Sequence, residues 1–175
     1  MGMFTQGAAK IMGAVKHLTA ATTGQTGILA TLSKEHGQVS VLLKRLKTMP
    51  ARSSNERDAL FQEIRTELLA HAAAEERVFY AELRKHAETR EKVQHSKKEH
   101  DEIEQVLETL NNSTLSGAAW TSSVDRLVER VEHHVEEEEG EVFPKAKKAL
   151  SHGDLDRLDK AFRRQKKQEL DKRPQ

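Results

Sequence analysis

From Thr26 onward, apolar residues recur at helical spacing. Leu29, Leu32, Val39, Leu43 and Leu46 form a seam with His36, stepping by three and four, and Thr26 stands where an N-cap belongs. Met49-Pro50 ends this predicted helix, and Ser53-Ser54-Asn55 reads as a loop. A second seam runs Phe61, Ile64, Leu68, His71, Glu75, Val78. A third runs Val93, Ser96, His100, Ile103, Leu107, Leu110 and closes at Asn111-Asn112-Ser113. The fourth runs Val124, Leu127, Val131, His134, Glu138, with Pro144 expected to kink or end it. Residues 1–25 show no sustained period and are read as a mobile arm or short docking helix. A shorter amphipathic piece carrying Leu155, Leu158 and Phe162 follows His152-Gly153.

The chain repeats itself. KEHGQVSVLLKRL at 34–46 aligns with KEHDEIEQVLETL at 98–110. The segments that follow align as well: Phe61 with Val124, Ile64 with Leu127, Leu68 with Val131, His71 with His134, Glu75-Glu76 with Glu138-Glu139, and Tyr80 with Phe143. Two similar helical hairpins with short connections predict an all-α fold, an up-down-up-down antiparallel four-helix bundle with near-twofold pseudosymmetry. The expected organisation is an N-terminal arm (1–25), the bundle (26–150), and a short C-terminal amphipathic helix with a basic tail (151–175).

Each seam is polar at mid-length, where His36, His71, Glu75, His100, His134 and Glu138 interrupt it. A buried polar side chain without a partner costs about 2–7 kcal/mol, and an unpaired carboxylate more, against a whole-domain stability of about 5–15 kcal/mol. Something must pair these six. Protonated imidazoles donating to Glu75 and Glu138 are one answer. A metal is the other, since four imidazoles and two carboxylates are a mixed nitrogen and oxygen donor set that suits iron, zinc or manganese rather than calcium. In each His-x-x-x-Glu step, His71/Glu75 and His134/Glu138, the two side chains share one helix face a turn apart. Two such steps and two single histidines suit a dinuclear centre, with the carboxylates able to bridge two cations.

A His followed by His-x-x-x-Glu, repeated once across residues 36–138, resembles the hemerythrin-like HHE cation-binding family. Both Lys-Glu-His starts, both Glu-Glu doublets and Val142-Phe143-Pro144 match that family's habits, and successive histidines lie 35, 29 and 34 residues apart. The resemblance implies a non-haem di-iron site inside a four-helix bundle, two Fe ions with a bridging oxo or hydroxo group. His36, His71, His100 and His134 would be its ligands, and Glu75 and Glu138 its bridges. It departs from the oxygen-carrying hemerythrins, which have a His-x-x-x-His pair on the third helix and an Asp on the fourth. Here Ser96 stands four positions before His100, and the fourth helix offers Glu138. Either an exchangeable water takes the missing fifth imidazole's place, or Glu104, His95, Tyr80 or His17 does. Tyr80, nine residues from His71, falls on roughly the opposite helix face, which disfavours it.

Composition narrows the chemistry further. The absence of cysteine excludes disulfides, thiolate metal sites, iron–sulfur clusters and a cysteine nucleophile. No His has an acidic residue three positions before it, so the Glu-x-x-His of ferritin-like di-iron proteins is missing. His-Glu-x-x-His, Gly-rich phosphate loops and serine nucleophile motifs are missing too. His86, His95, His133 and His152 fall off the seams and are read as solvated, as are Glu76 and Glu139, with a supporting contact to the imidazoles as their alternative role. The acidic middle of the chain would repel nucleic acid or an anionic membrane; the basic ends could touch either but are read as a solvated tail or helix face, so neither partner is expected. No secretory pattern or long apolar run appears, Gln6 disfavours myristoylation at Gly2, and a cytoplasmic protein is expected. The expected function is binding or sensing of O2 or a related small oxidant. A di-iron enzyme decomposing hydrogen peroxide or nitric oxide is a second possibility, and a metal-stabilised helical interaction module a third.

Overall fold

The periodic seams become buried stripes. In the computed structural model, which describes residues 24–49, 54–111 and 115–172, the helices are α1 (Gly27–Thr48), α2 (Ser54–Leu83), α3 (Ala87–Asn111) and α4 (Gly117–Glu137). α4 passes through a π turn (Glu138–Val142) into α5 (Phe143–Ala149), and α6 (His152–Asp171) follows. No strand occurs among the described residues, nor is any of their helices long and apolar enough to cross a membrane. His17 and nearly all of the 1–25 segment lie outside the described residues.

The apolar core is divided into two clusters. One joins the start of α1 (Ile28, Leu29, Leu32) to the end of α2 (Phe79, Tyr80, Leu83), the start of α3 (Val93) and the region after α4 (Val142, Phe143). The other joins the end of α1 (Val39, Leu43, Leu46) to the start of α2 (Leu60, Phe61, Ile64), the end of α3 (Ile103, Leu107, Leu110) and the start of α4 (Trp120, Val124). Successive helices therefore run in opposite directions, and the polar mid-seam residues fall between the clusters. Phe61 and Trp120 pack edge to face, 5.6 Å apart, as packing residues of the second cluster.

Two local features depart from the periodic reading. Pro144 does not end the fourth helix; the chain leaves helical geometry only after Ala149. Proline lacks an amide hydrogen, and the preceding turn widens to π geometry, with the Phe143 N–H donating to the Glu138 carbonyl. The C-terminal amphipathic piece extends over 20 residues, and the basic segment around Arg163 to Lys167 lies within it. α6 lies across α1 and α2 because it has an apolar stripe of its own: Leu155, Leu158 and Phe162 are buried, each worth about 1.5–3 kcal/mol. Its start is fixed by a capping box in which Ser151 and Asp154 satisfy each other's backbone amides. Thr31 donates to Asp159 at 2.5 Å and accepts from Arg163 at 2.6 Å, tying α6 to α1. Lys166 reaches both Glu35 and Glu67 at 2.8 Å.

Gly27 makes the close approach of α1 and α6 possible. Its φ is +55°, and a Cβ there would sit 2.6 Å from the Leu155 carbonyl carbon. Gly117 has the same φ with open space around it. Gly27→Ala is expected to destabilise the protein by about 2 kcal/mol or more, against about 1 kcal/mol for Gly117→Ala, where backbone strain acts alone. Urea denaturation of the two variants checks the difference; equal losses would mean that α6 is not seated against Gly27.

Candidate metal centre

His36, His71, Glu75, His100, His134 and Glu138 are all buried, Glu75 and Glu138 completely. They form one polar layer to which α1, α2, α3 and the α4 to π-turn junction each contribute. The imidazoles come in two pairs. His36 and His71 have ring centroids 5.3 Å apart, and His100 and His134 4.5 Å apart. Each carboxylate spans both pairs. Glu75 Oε2 lies 3.4 Å from His71 Nε2 and 3.6 Å from His100 Nε2. Glu138 Oε2 lies 3.3 Å from His36 Nε2 and 3.9 Å from His134 Nε2. The structure thus brings together all six residues at which the seams turn polar.

The outward nitrogens are held in one pattern throughout. His36 Nδ1 meets Glu139 at 2.8 Å, His71 Nδ1 meets Glu35 at 2.8 Å, His100 Nδ1 meets Glu76 at 3.2 Å, and His134 Nδ1 meets Glu99 at 3.0 Å. An ionised carboxylate only accepts, so each Nδ1 carries the hydrogen, and in the neutral ring the Nε2 lone pair faces the centre. Every one of these carboxylates is the chain neighbour of a central residue: Glu35 of His36, Glu76 of Glu75, Glu99 of His100, Glu139 of Glu138.

Glu139 and Glu76 thus take the supporting role rather than the solvated one, most clearly Glu139, which lies within the π turn and whose side chain is only 6 % exposed. Glu35 and Glu99 lie off the seams, although the repeated Lys-Glu-His carries them in register with the histidines.

The layer cannot satisfy itself. His36 Nε2, His71 Nε2, both oxygens of Glu75 and Glu138 Oε2 are buried without a hydrogen-bond partner. His36 and Glu138 are close but not aligned for a hydrogen bond. His100 Nε2 and His134 Nε2 face each other at 3.1 Å, and with both Nδ1 hydrogens committed they need a proton or a cation between them. Protons fill part of this need in the metal-free chain. Burial opposes charge on His36, but the Glu138 and Glu139 carboxylates outweigh it and hold the imidazole up at about 9. Burial, with His134 adding to it, pushes His100 down to about 4. Burial also pushes Glu75 well above the usual carboxylate range, reinforced by Glu138, whereas His36 and His134 overcome burial at Glu138 and hold it well below that range.

Two aromatic rings cover the layer from the first core cluster. Tyr80 stacks on His100 at 5.5 Å, and its repeat mate Phe143 stacks on His36 at 6.2 Å, both inclined by 17°. The fully buried Tyr80 hydroxyl donates to Glu138 Oε1 at 2.7 Å. Tyr80 therefore does reach the layer, contrary to the expectation from its helix face: a long aromatic side chain leaning toward the preceding turn covers ground its Cα position does not indicate. Its alignment with Phe143 is the signal the sequence carries for this. Burial, then the Glu138 and Glu75 carboxylates, push its phenol well above its ordinary value, which keeps it a donor. Neither Glu104 nor His95 supplies a fifth group, because Glu104 is exposed and His95 points to Glu137 outside the layer. On the side of the second cluster, a cavity of about 950 Å³ reaches all four imidazoles past Val39, Ile103, Leu107 and Val131.

Among known proteins, a family model described as the Hemerythrin HHE cation binding domain matches residues 27–146, more than half of the chain. No curated protein and no solved structure matches.

Cation uptake here must displace the proton that His36 holds up at about 9. Below that value the competing proton is present, so affinity rises as pH rises. The apparent metal affinity should climb at least about tenfold per unit between about pH 6 and pH 8, with proton release seen as buffer-dependent heats in calorimetry. A flat profile would contradict the assignment of the His36 Nε2 as a donor.

Proposed function

The chain belongs to the hemerythrin HHE cation-binding family, and on that premise we propose that its buried layer holds two iron ions and binds or senses O2 or a related small oxidant. The observation that carries this reading is the set of buried, unpartnered donor atoms on His36, His71, Glu75 and Glu138, aimed at one another across the layer. His36 and His71 would hold one ion and His100 and His134 the other, with Glu75 and Glu138 shared between them. Iron, when bound, supplies electrons to an oxidant and an open coordination position for it. Nitrogen and carboxylate donors without thiolates suit iron, and also zinc or manganese.

The remaining chemistry belongs to the chain. Glu139, Glu35, Glu76 and Glu99 fix the imidazole tautomers and ring orientations and raise their basicity. The Tyr80 hydroxyl holds one Glu138 oxygen in place and leaves the other for the centre. Phe79, Phe143 and Phe162, all fully buried, keep bulk water from the layer on the side away from the cavity. The cavity, lined by apolar and charged side chains together, gives a small oxidant a path to the imidazoles.

Elemental analysis of protein expressed with supplementary iron is expected to find about two irons per chain, one for each imidazole pair, together with near-ultraviolet ligand-to-iron charge-transfer absorption. One zinc, or no metal, would overturn the di-iron reading.

One observation favours turnover of hydrogen peroxide or nitric oxide as a second reading. Ser96, buried four positions before His100, donates no nitrogen where a further imidazole could bind, and the cavity opens onto the same histidine. Steady-state oxygen release from peroxide should then be lost in His100→Ala and retained in His86→Ala. Fully iron-loaded protein that releases no oxygen from peroxide removes the peroxide branch of this reading, and protein that consumes no nitric oxide removes the other.

A further inference from the structure

Beside the buried layer, α3 and α4 carry a second pair of His-x-x-x-Glu steps, His95/Glu99 and His133/Glu137. Each is offset by one or a few residues from a central histidine, so it lies on the neighbouring stripe of its helix. Because α3 and α4 pack side by side, the two steps face each other. His95 Nε2 lies 3.2 Å from Glu137 Oε2 and 3.8 Å from Glu99 Oε1. His133 Nε2 lies 3.5 Å from Glu99 Oε1 and 3.5 Å from Glu137 Oε1. These two imidazoles, expected to be simply solvated, are half-exposed but converge on two carboxylates.

Glu99 distinguishes this cluster from a chance meeting of surface charges. Its side chain is 10 % exposed, and its two oxygens have separate tasks. Oε2 accepts the His134 Nδ1 hydrogen at 3.0 Å, while Oε1 is buried, has no hydrogen-bond partner, and faces His95 and His133. An unpartnered carboxylate oxygen at the base of a bowl walled by two imidazoles and a second carboxylate is an open donor set.

We propose that His95, Glu99, His133 and Glu137 form a peripheral divalent-cation site, distinct from the buried layer and suited to Zn2+. Two nitrogens and two oxygens are a zinc-type donor set. The ligand atoms of His95, Glu99 and Glu137 lie within 4.8 Å of one another, near the edge of about 3.3 Å in a tetrahedron with ligands at 2.0–2.1 Å, and His133 Nε2 approaches both carboxylates at 3.5 Å from beside them. Calcium, which takes six to eight oxygens at longer range, is excluded by both the nitrogens and the ligand number. The competing account is a set of screened ion pairs of protonated imidazoles, worth about 0–1 kcal/mol each and binding no metal. Glu99 would give the outer ion one oxygen while holding His134 with the other, so the two sites share one carboxylate.

The proposal does not depend on what fills the buried layer, and a difference measurement tests it. The full-length protein, with the core metals it carries when purified, is dialysed to equilibrium against micromolar Zn2+ beside the His95→Ala/His133→Ala variant, and zinc is measured in each. The wild type is expected to retain one more zinc ion per chain than the double variant. Glu137→Gln alone should weaken that ion's binding at least about 10- to 100-fold, the range for losing even an outer support of a metal ligand. His86→Ala/His152→Ala, which alters histidines away from this cluster, should leave it unchanged. Equal zinc in the wild type and the double variant overturns the proposal, as does unweakened binding in Glu137→Gln. Should the double variant fail to fold by circular dichroism, the Glu137→Gln titration decides alone.

Discussion

The cost of placing four imidazoles and two carboxylates inside an apolar bundle governs this structure. Those groups cannot be left as they stand in a low-dielectric interior. The chain meets part of the cost with four supporting carboxylates on the outward nitrogens, and it leaves the inward atoms of His36, His71, Glu75 and Glu138 unpartnered. An arrangement finished on its outer side and open on its inner side is what a cation-binding layer requires. The two apolar clusters above and below the layer then determine where along the bundle it lies.

The repeat makes the layer nearly symmetric, and a few single differences break the symmetry. Tyr80 and Phe143 occupy matching positions and stack on matching histidines, but only Tyr80 has a hydroxyl. Glu138 therefore receives a hydrogen bond that Glu75 lacks. Burial opposes charge on both, but His36 and His134 hold the Glu138 carboxyl down, whereas burial and Glu138 push that of Glu75 up. The two carboxylates, equivalent by repeat, are electrostatically distinct.

α6 breaks the symmetry a second time. It covers only the α1 and α2 side, where Phe162 packs edge to face on His71 at 5.7 Å and Lys166 reaches Glu35. Burial opposes ionisation of Glu35, but His71 and Lys166 together bring its carboxyl down to about 2. Its repeat mate Glu99 has no such lysine contact, and its second oxygen faces His95 and His133. One supporting carboxylate thus meets a lysine of α6, and the matching one meets two further imidazoles.

Much of this is legible in the sequence. The seams with steps of three and four, the internal repeat, and the six polar residues at one level determine helices, hairpins and the buried layer. Helical periodicity is a local property that the chain alone specifies. The supporting carboxylates are half legible: the repeated Lys-Glu-His and Glu-Glu put them in register, but whether such a residue turns inward depends on how each helix is rotated. Only the tertiary structure decided that Tyr80 reaches Glu138, that Pro144 is absorbed by a π turn which brings Glu139 inward, and that α6 docks against Gly27. Nor could either helix alone disclose that His95 and Glu99 meet His133 and Glu137. Each of these rests on distances between residues far apart in the chain, set by side-chain reach and by the rotation of packed helices about their axes, and periodicity carries neither.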